Sequence, residues 1–598
     1  MKKTHKPSTP RNRGYALLIT VVFVGIGLLL LGSVMNWTNS SARQTERNNL
    51  FSLGTGAAEA ADENVIAYVT RDFYNGSPKT ATNYTGASFV PSTASWPVTF
   101  SFSNSPTLMF PSQYSSNLPT QVWAALGWQF QGSFGIVTTG IVTSTATALN
   151  QPYAVSATVQ EQIQLATIPL AQKAIFYNMN MEICPGATMS VNGPTYVNGQ
   201  IYADPSSGTL TFAGPVNTTM PSVIYTRSPN DQQSSTANPS VVYTVTNSPM
   251  TNSPALVLPV GTNSYSASTN TSSVASILDL PPPGTDPNSA LGQEYVYNEA
   301  DIIISNSSSG TISAFYQNSN NVNQLTPIPY NMTNVVGGVT NKYYSFATNV
   351  SFYDYRESDT VKAVQINVGA FNTWLSGPGA TYNSQNNSGS TSKGHSINSL
   401  YVYNSATLSS TQLPAVRMAN GGTLPSQGLT VATPDPLYVL GNYNASGSSL
   451  NNGTNVVNTA PAGLMGDAIT ILSTSWSDTY SSSTALSSRT AGSTTVNAAT
   501  LEGIVESTTV NGTKHYSGGV ENFMRLLENW SNKTLTYNGS IIVLFDSRFA
   551  TNFWNTPGSY YNPPARAWGF DVNFQTQGGL PPIFPSAKAM IRQNWTAY

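Results

Sequence analysis

Charge is what this sequence has least of. Only 8% of its 598 residues are Asp, Glu, Lys or Arg, about a third of the usual globular share. The 24 basic and 26 acidic residues leave a formal net charge of −2. Lys2, Lys3, Lys6, Arg11 and Arg13 all precede residue 14, so the remainder is mildly acidic and mostly neutral. No clustered basic face can be built from it, which argues against nucleic acid as a partner. Cysteine occurs once, at Cys184, so no intrachain disulfide is possible. Between Ile183 and Pro185 it reads as a small buried hydrophobe. The three histidines, His5, His395 and His515, have no His, Cys or carboxylate at metal-ligand spacing, and neither a metal nor a cofactor is implied. A G-x-S-x-G elbow and a Walker-type glycine loop are both missing.

Low charge does not mean disorder here. Apolar residues reach 40% and aromatics 11%, with 31 tyrosines, enough to bury a large core. Ser, Thr, Asn and Gln take the place of surface charges, a composition common in exported β proteins.

The longest apolar run begins at Tyr15 and ends near Val34, broken only by Thr20 and Ser33. As a helix it rises about 30 Å, enough to cross a hydrocarbon core. Five basic residues and no acidic ones precede it, so the N-terminus should stay cytoplasmic and the bulk be exported. A cleaved signal peptide is the competing reading, but its apolar region is usually only about 7–15 residues long. Beyond Val34 no proline occurs up to Phe73, and Leu50, Leu53, Ala57, Ala61, Val65 and Tyr68 recur at helical spacing. The pattern predicts one helix from Tyr15 to about Asp72, half in lipid and half packed on an exported domain.

Arg13-Gly14-Tyr15-Ala16-Leu17-Leu18, the apolar run and the later Ala57-Ala58-Glu59-Ala60 resemble the N-terminus of type IV pilin-like proteins, more narrowly the PilX-type minor pilins. The resemblance covers about sixty residues. It implies that a prepilin peptidase cuts after Gly14 and methylates Tyr15. It also implies a membrane-spanning helix through Tyr15, Leu17, Leu18, Val22, Phe23, Leu29 and Leu31, with other pilin-like subunits as partners. Major pilins carry glutamate at the fifth mature position, where this chain has Ile19. That departure fits a minor or tip component better than a repeating fibre subunit.

The exported part reads as mainly β. Residues 74–170 alternate in short strands such as Pro97–Phe102 and Tyr153–Val159, with a continuation through Ile163 and Leu165. Over 171–216, strands of three or four residues separated by glycines suit the rungs of a β-solenoid. Pro194–Ala203 is echoed by Pro436–Ala445, which predicts equivalent rungs either side of a β- and loop-rich insertion, 217–427. Phe371–Trp374 begins a short helix. From 428 to 598 a second solenoid segment follows. The stripe Val520, Phe523, Leu526, Leu527 and Trp530 predicts a covering helix over about 519–530, with Glu521 and Arg525 on its exposed side. An aromatic tail from Tyr560 should wrap the last coil.

For chemistry, the carboxylates of a carbohydrate-active β-helix enzyme would come from Asp467, Glu502, Glu506, Asp546 and Asp571, with Glu502 and Glu506 on one face of a turn. The bland alternative, turn caps and solvated acids, fits the low charge better. Tyrosines and tryptophans beside Asn and Gln either bind surface glycans by stacking or fill β ladders. The expected protein is non-enzymatic: a minor-pilin-like component of a type IV pilus or secretion filament, single-pass in the inner membrane, displaying a β-rich head outside it, with adhesion as one use. A membrane-anchored surface adhesin is the alternative. Edman sequencing or mass spectrometry of the mature chain should find Tyr15 first, and Gly14→Ala should retain the leader; an unchanged mature mass in that variant contradicts the processing.

Overall fold

The computed structural model describes residues 15–598 apart from 77–79, 93–95, 103–105, 111–120, 128–129, 131, 257, 259–273, 290, 319–324 and 447–458. The chain is mainly β, with a long N-terminal apolar helix ahead of a β-rich region. Helix α1 spans Tyr15–Tyr74, 60 residues, or about 90 Å at 1.5 Å per residue. Its character changes at Leu50. Before that residue it is almost wholly exposed; beyond it Leu50, Gly54, Ala57, Ala58, Ala61, Val65 and Val69 are buried. Tyr68, expected on the same stripe, is 45% exposed. Val69 takes its place and Tyr68 packs edge-on against Phe89.

The buried face lies on a six-stranded antiparallel sheet whose main path runs Phe100–Ser101, Phe134–Ala148, Ser156–Pro169 and Ser586–Ala597, with Thr107–Met109 and Val122–Ala125 also pairing with Phe134–Ala148. Alternating residues of the two central strands are buried, the period of a half-covered sheet. Val142, Ile163 and Leu165 meet Val65, Ile66 and Val69, while Ala146 and Val159 meet Leu50, Ala57 and Ala58. The fourth strand comes from the far end of the chain, with Ala589 opposite Ala166 and Ile591 opposite Gln164. The tail therefore does not simply wrap the last coil. Ala565–Phe570 adds a parallel strand beside Thr534–Gly539, and Ser586–Ala597 covers what would otherwise be the open edge of Ser156–Pro169.

Between those two paired strands the chain builds a parallel β-solenoid. One of its sheets stacks Ile302–Asn306, Ser399–Asn404, Leu429–Ala432, Ala462–Gly466, Thr494–Ile504, Thr534–Asp546, Ile175–Tyr177, Thr195–Val197 and Val216–Thr218, in that order. Its inner ladder runs Ile302, Leu400, Val431, Leu464, Thr500, Ile541, Ile175, Thr195, Val216. A second sheet stacks Asp359–Asn367, Gln412–Gly421, Leu437–Tyr443, Ile469–Leu472 and Arg525–Leu526. Spatial order departs from chain order: Ile175 pairs with Ile541, so the earliest rung lies directly on the latest. The chain starts mid-stack, builds outward to Val216–Thr218, and resumes at Ile302–Asn306 at the other end.

Segment 217–427 is β-rich and contributes rungs of its own. The echoed sequences are not equivalent rungs, since Thr195–Val197 lies in the first sheet and Leu437–Tyr443 in the second. The helix at Phe371 is present, as Val368–Ser376, with the Asn367 side chain accepting from the Ala370 N–H. The helix over 519–530 is not. A 3-10 turn at Val520–Asn522 precedes the strand Arg525–Leu526, whose backbone pairs with Thr470 and Ile471. The apolar stripe is buried as expected, but Glu521 and Arg525 are buried with it.

Gly539 lies across from Ala498, where a Cβ would come within 1.8 Å of the Ala498 carbonyl oxygen. Gly539→Ala should lower stability by about 1–3 kcal/mol or more. Gly56→Ala, with nothing within 4 Å of the new carbon, should raise it by up to about 1 kcal/mol. Thermal melts of the two variants check the contrast; shifts of the same sign would contradict it.

Candidate functional site

The exposed half of α1 is the first candidate. Tyr15, Leu17, Leu18, Val22, Phe23, Leu29 and Leu31 each present at least half of their surface, Leu29 as much as 74%. Its few hydroxyls are satisfied within the helix, Thr20 Oγ1 donating to the Ala16 carbonyl and Ser33 Oγ to that of Leu29. Between Ala16 and Met35 no other side chain is polar, and by length and composition the helix can cross a membrane. Ile19 adds one more apolar side chain to that surface. Gly14 lies outside the described residues.

Where α1 meets the sheet, charges join three parts of the chain. Arg592 on the returning strand pairs with Glu63 on α1 and with Glu161 on the neighbouring strand. Asp62 is buried beside them; Ser144 Oγ donates to its Oδ1, and Oδ2 has no hydrogen-bond partner among the described residues. Burial, then Glu161 and Glu63, pushes this carboxyl up to about 7. Lys173, at the entrance to the head, is also buried. Its Nζ donates to Ser133 Oγ and lies 5.3 Å from the Tyr196 ring centroid, and burial lowers the amine to about 7.

A second candidate is a cavity of about 230 Å³ in the head. Tyr177, Glu182, Tyr202, Arg356, Glu506 and Arg525 are among its lining residues. Tyr177 is on the earliest rung, whose partner Val543 is on the latest, so the cavity opens where the two ends of the head meet. Glu182 accepts from Ser507 Oγ at 2.7 Å and Ser517 Oγ at 2.8 Å. Arg525 pairs with Glu357 at 2.7 Å. Burial, then Asp546 and Glu182, pushes the Glu506 carboxyl up to about 7.

The sequence-nominated carboxylates do not form one site: Asp546 acts on Glu506 and Asp467 on Glu502, while Asp571 lies apart from both. Glu506 lines the cavity, but Glu502 is buried and accepts from the Ile469 N–H, and burial raises its pKa. Asp467 accepts from Ser547 Oγ and from the N–H groups of Arg548, Phe549 and Ala550, holding a turn. Asp571 caps the turn at Asn573, and Asp546 ends its strand exposed. Glu182 and Arg356 carried no sequence signal of their own, beyond Glu182 alternating out of phase with the buried Met181 and Ile183. Many tyrosines fill the core: Tyr196, Tyr401, Tyr438, Tyr443 and Tyr537 are fully buried. Among the described residues no three His, Cys, Asp or Glu side chains gather as a metal site requires.

No protein-family model and no curated protein sequence matches this chain. Among solved structures, the chain is similar to the competence-associated pilin ComZ from Thermus thermophilus, at 9% identity and a TM-score of 0.26, over 92% of this chain and 97% of that one. That similarity is too remote to assign a fold or a function.

Asp62 gives the helix–sheet contact a pH dependence. In the fold its proton is held to about pH 7, in the unfolded chain only to about pH 4. The fold binds more protons across that window, so this group withdraws stability as pH rises from about 4 to 7, and its full cost is present above 7. Asp62→Asn, which can keep the Ser144 hydrogen bond, should stabilise the chain at pH 8 by about 1 kcal/mol or more and change it little at pH 4. Equal melting temperatures at pH 8 would contradict this.

Proposed function

We propose that this chain is a structural, non-enzymatic component of a type IV pilus or a related secretion filament, of the minor-pilin-like kind. The observation that carries the reading is the division of α1. Its first twenty-odd residues are an exposed apolar rod of membrane length, and its second half is the backing of a folded sheet. Such a helix suits a subunit that waits in the inner membrane and later packs its exposed half among the helices of other subunits. The leader ending at Gly14 supports cleavage by a prepilin peptidase, with Tyr15 as the new N-terminus. Ile19, where an acidic residue would pair with a neighbour's amine, supports a minor or tip position. The β-solenoid is then the displayed part, and adhesion is the use proposed for it. A glycan-cleaving role is not proposed, because Asp467 and Asp571 hold turns, Glu502 is buried under the Ile469 N–H, and of the five nominated carboxylates Glu506 alone lines the cavity.

In cells that assemble such a filament, the chain should appear in the sheared filament fraction. Leu18→Arg or Val22→Arg, each costing about 2.5–3.5 kcal/mol in a bilayer, should remove it from that fraction. A chain that stays in the membrane fraction regardless of the filament machinery would overturn the proposal.

A further inference from the structure

The cavity in the head contains a cation that forms no ion pair among the described residues. Arg356 follows the strand Ala347–Asp354, at the turn before Asp359–Asn367, and only 8% of it is exposed. Its Nε donates to the Asn552 carbonyl at 3.2 Å. Among the described residues its two terminal nitrogens have no hydrogen-bond partner, and no carboxylate lies within ion-pair distance. Of the acids near it, Glu502 feels its charge without forming an ion pair, its Oε2 taken by the Ile469 N–H, and the other two are committed elsewhere. Asp354 accepts from the Arg356 and Glu357 N–H groups through Oδ1 and from Tyr438 OH through Oδ2. Glu357 accepts from Arg525 and from the Asn552 N–H. A buried guanidinium left over in this way is costly unless something else pairs with it. Its terminal nitrogens are not among the atoms sealed inside protein, and the side chain lines the cavity.

The other lining groups narrow what that partner is. Glu182 is held by two serine hydroxyls, and Glu506 has no hydrogen bond among the described residues. Both are acceptors, which a phosphate or sulfate would meet with repulsion and a hydroxyl-bearing ligand would meet with donors. Asn180 and Asn230 add amides, and the half-buried Tyr202 offers a ring face. At about 230 Å³ the space is smaller than the roughly 300–1,000 Å³ of most ligand sites, which limits it to a single ring.

We propose that this cavity binds a carboxylate-bearing sugar unit, a hexuronate, with its carboxylate on Arg356 and its hydroxyls on Glu182 and Glu506. A guanidinium and a carboxylate form a charge-assisted pair with two parallel N–H···O bonds, so Arg356 is the group that selects acid over neutral sugar. The assignment does not depend on the pilin-like reading, because the cavity belongs to the head whatever anchors it.

Isothermal titration of the full-length chain in detergent micelles tests the assignment, with galacturonate and glucuronate as probes against galactose, glucose and glycine. Uronates should bind at least roughly tenfold more tightly than the matching neutral sugars, the scale of one charged pair, and glycine should give no saturable heat. Arg356→Gln should remove the preference for uronates, while Glu506→Gln, altering a group placed on a hydroxyl that both kinds of sugar carry, should weaken uronates and neutral sugars by a similar factor. Equal affinity for acid and neutral sugars, tighter binding of glycine, or no binding at all would overturn the proposal. That comparison uses the unaltered chain, so it decides the matter even if Arg356→Gln fails to fold.

Discussion

The pairing of Ser586–Ala597 with Ser156–Pro169 holds the architecture together. It brings the last strand of the chain onto the sheet that α1 backs, so everything between those strands is a closed excursion from a small helix-and-sheet module. Arg592 reinforces the closure by reaching both Glu63 on α1 and Glu161 on the neighbouring strand. Partly exposed pairs of this kind contribute little individually. The apolar contacts of Val65, Ile66 and Val69 with Val142, Ile163 and Leu165 carry more of the energy. A force or a neighbour acting on α1 is thereby transmitted to both ends of the head.

The same constraint explains the order of the rungs. Because the excursion leaves at Pro169 and returns at Ser586, its first and last coils must lie near each other. Stacking Ile175 on Ile541 satisfies that requirement and keeps the apolar ladder continuous across the junction. The junction is also where regular packing is hardest to complete. Side chains there come from segments far apart in sequence, such as Glu182, Arg356 and Glu506, and a polar cavity remains among them. A repetitive scaffold thus acquires an irregular, charged place at the junction of its first and last coils.

Local patterns were legible in the sequence; long-range pairings were not. The apolar run from Tyr15, the stripe through Leu50, Ala57, Ala61 and Val65, and the alternation through Ile163 and Leu165 each depend on a period within one element. The fourth strand of the sheet had no such signal, because its partner is more than four hundred residues away and the alternation of Ala587, Ala589 and Ile591 names no neighbour. Over 519–530 the spacing was misleading. Val520, Phe523, Leu526, Leu527 and Trp530 are all buried, but Gly518 and Gly519 take positive φ of 99° and 68°, and the backbone of Arg525 and Leu526 is used by the sheet. In the cavity, Glu506 stood out as one of few carboxylates. Arg356 did not, since its significance depends on Asp354 and Glu357 being engaged elsewhere.

A cysteine pair across the closing strands tests this topology most directly. Gln164 and Ile591 are register partners, and opposed residues of an antiparallel pair have α-carbons about 4.5–5.5 Å apart, within the span a disulfide can bridge. Cys184 is buried and should stay silent. In a chain carrying Gln164→Cys and Ile591→Cys, mild oxidation should join the two new cysteines within one molecule, found by mass spectrometry as a single cross-linked peptide pair. Two free thiols in a chain that remains folded would show that the C-terminal strand does not close the helix-backed sheet.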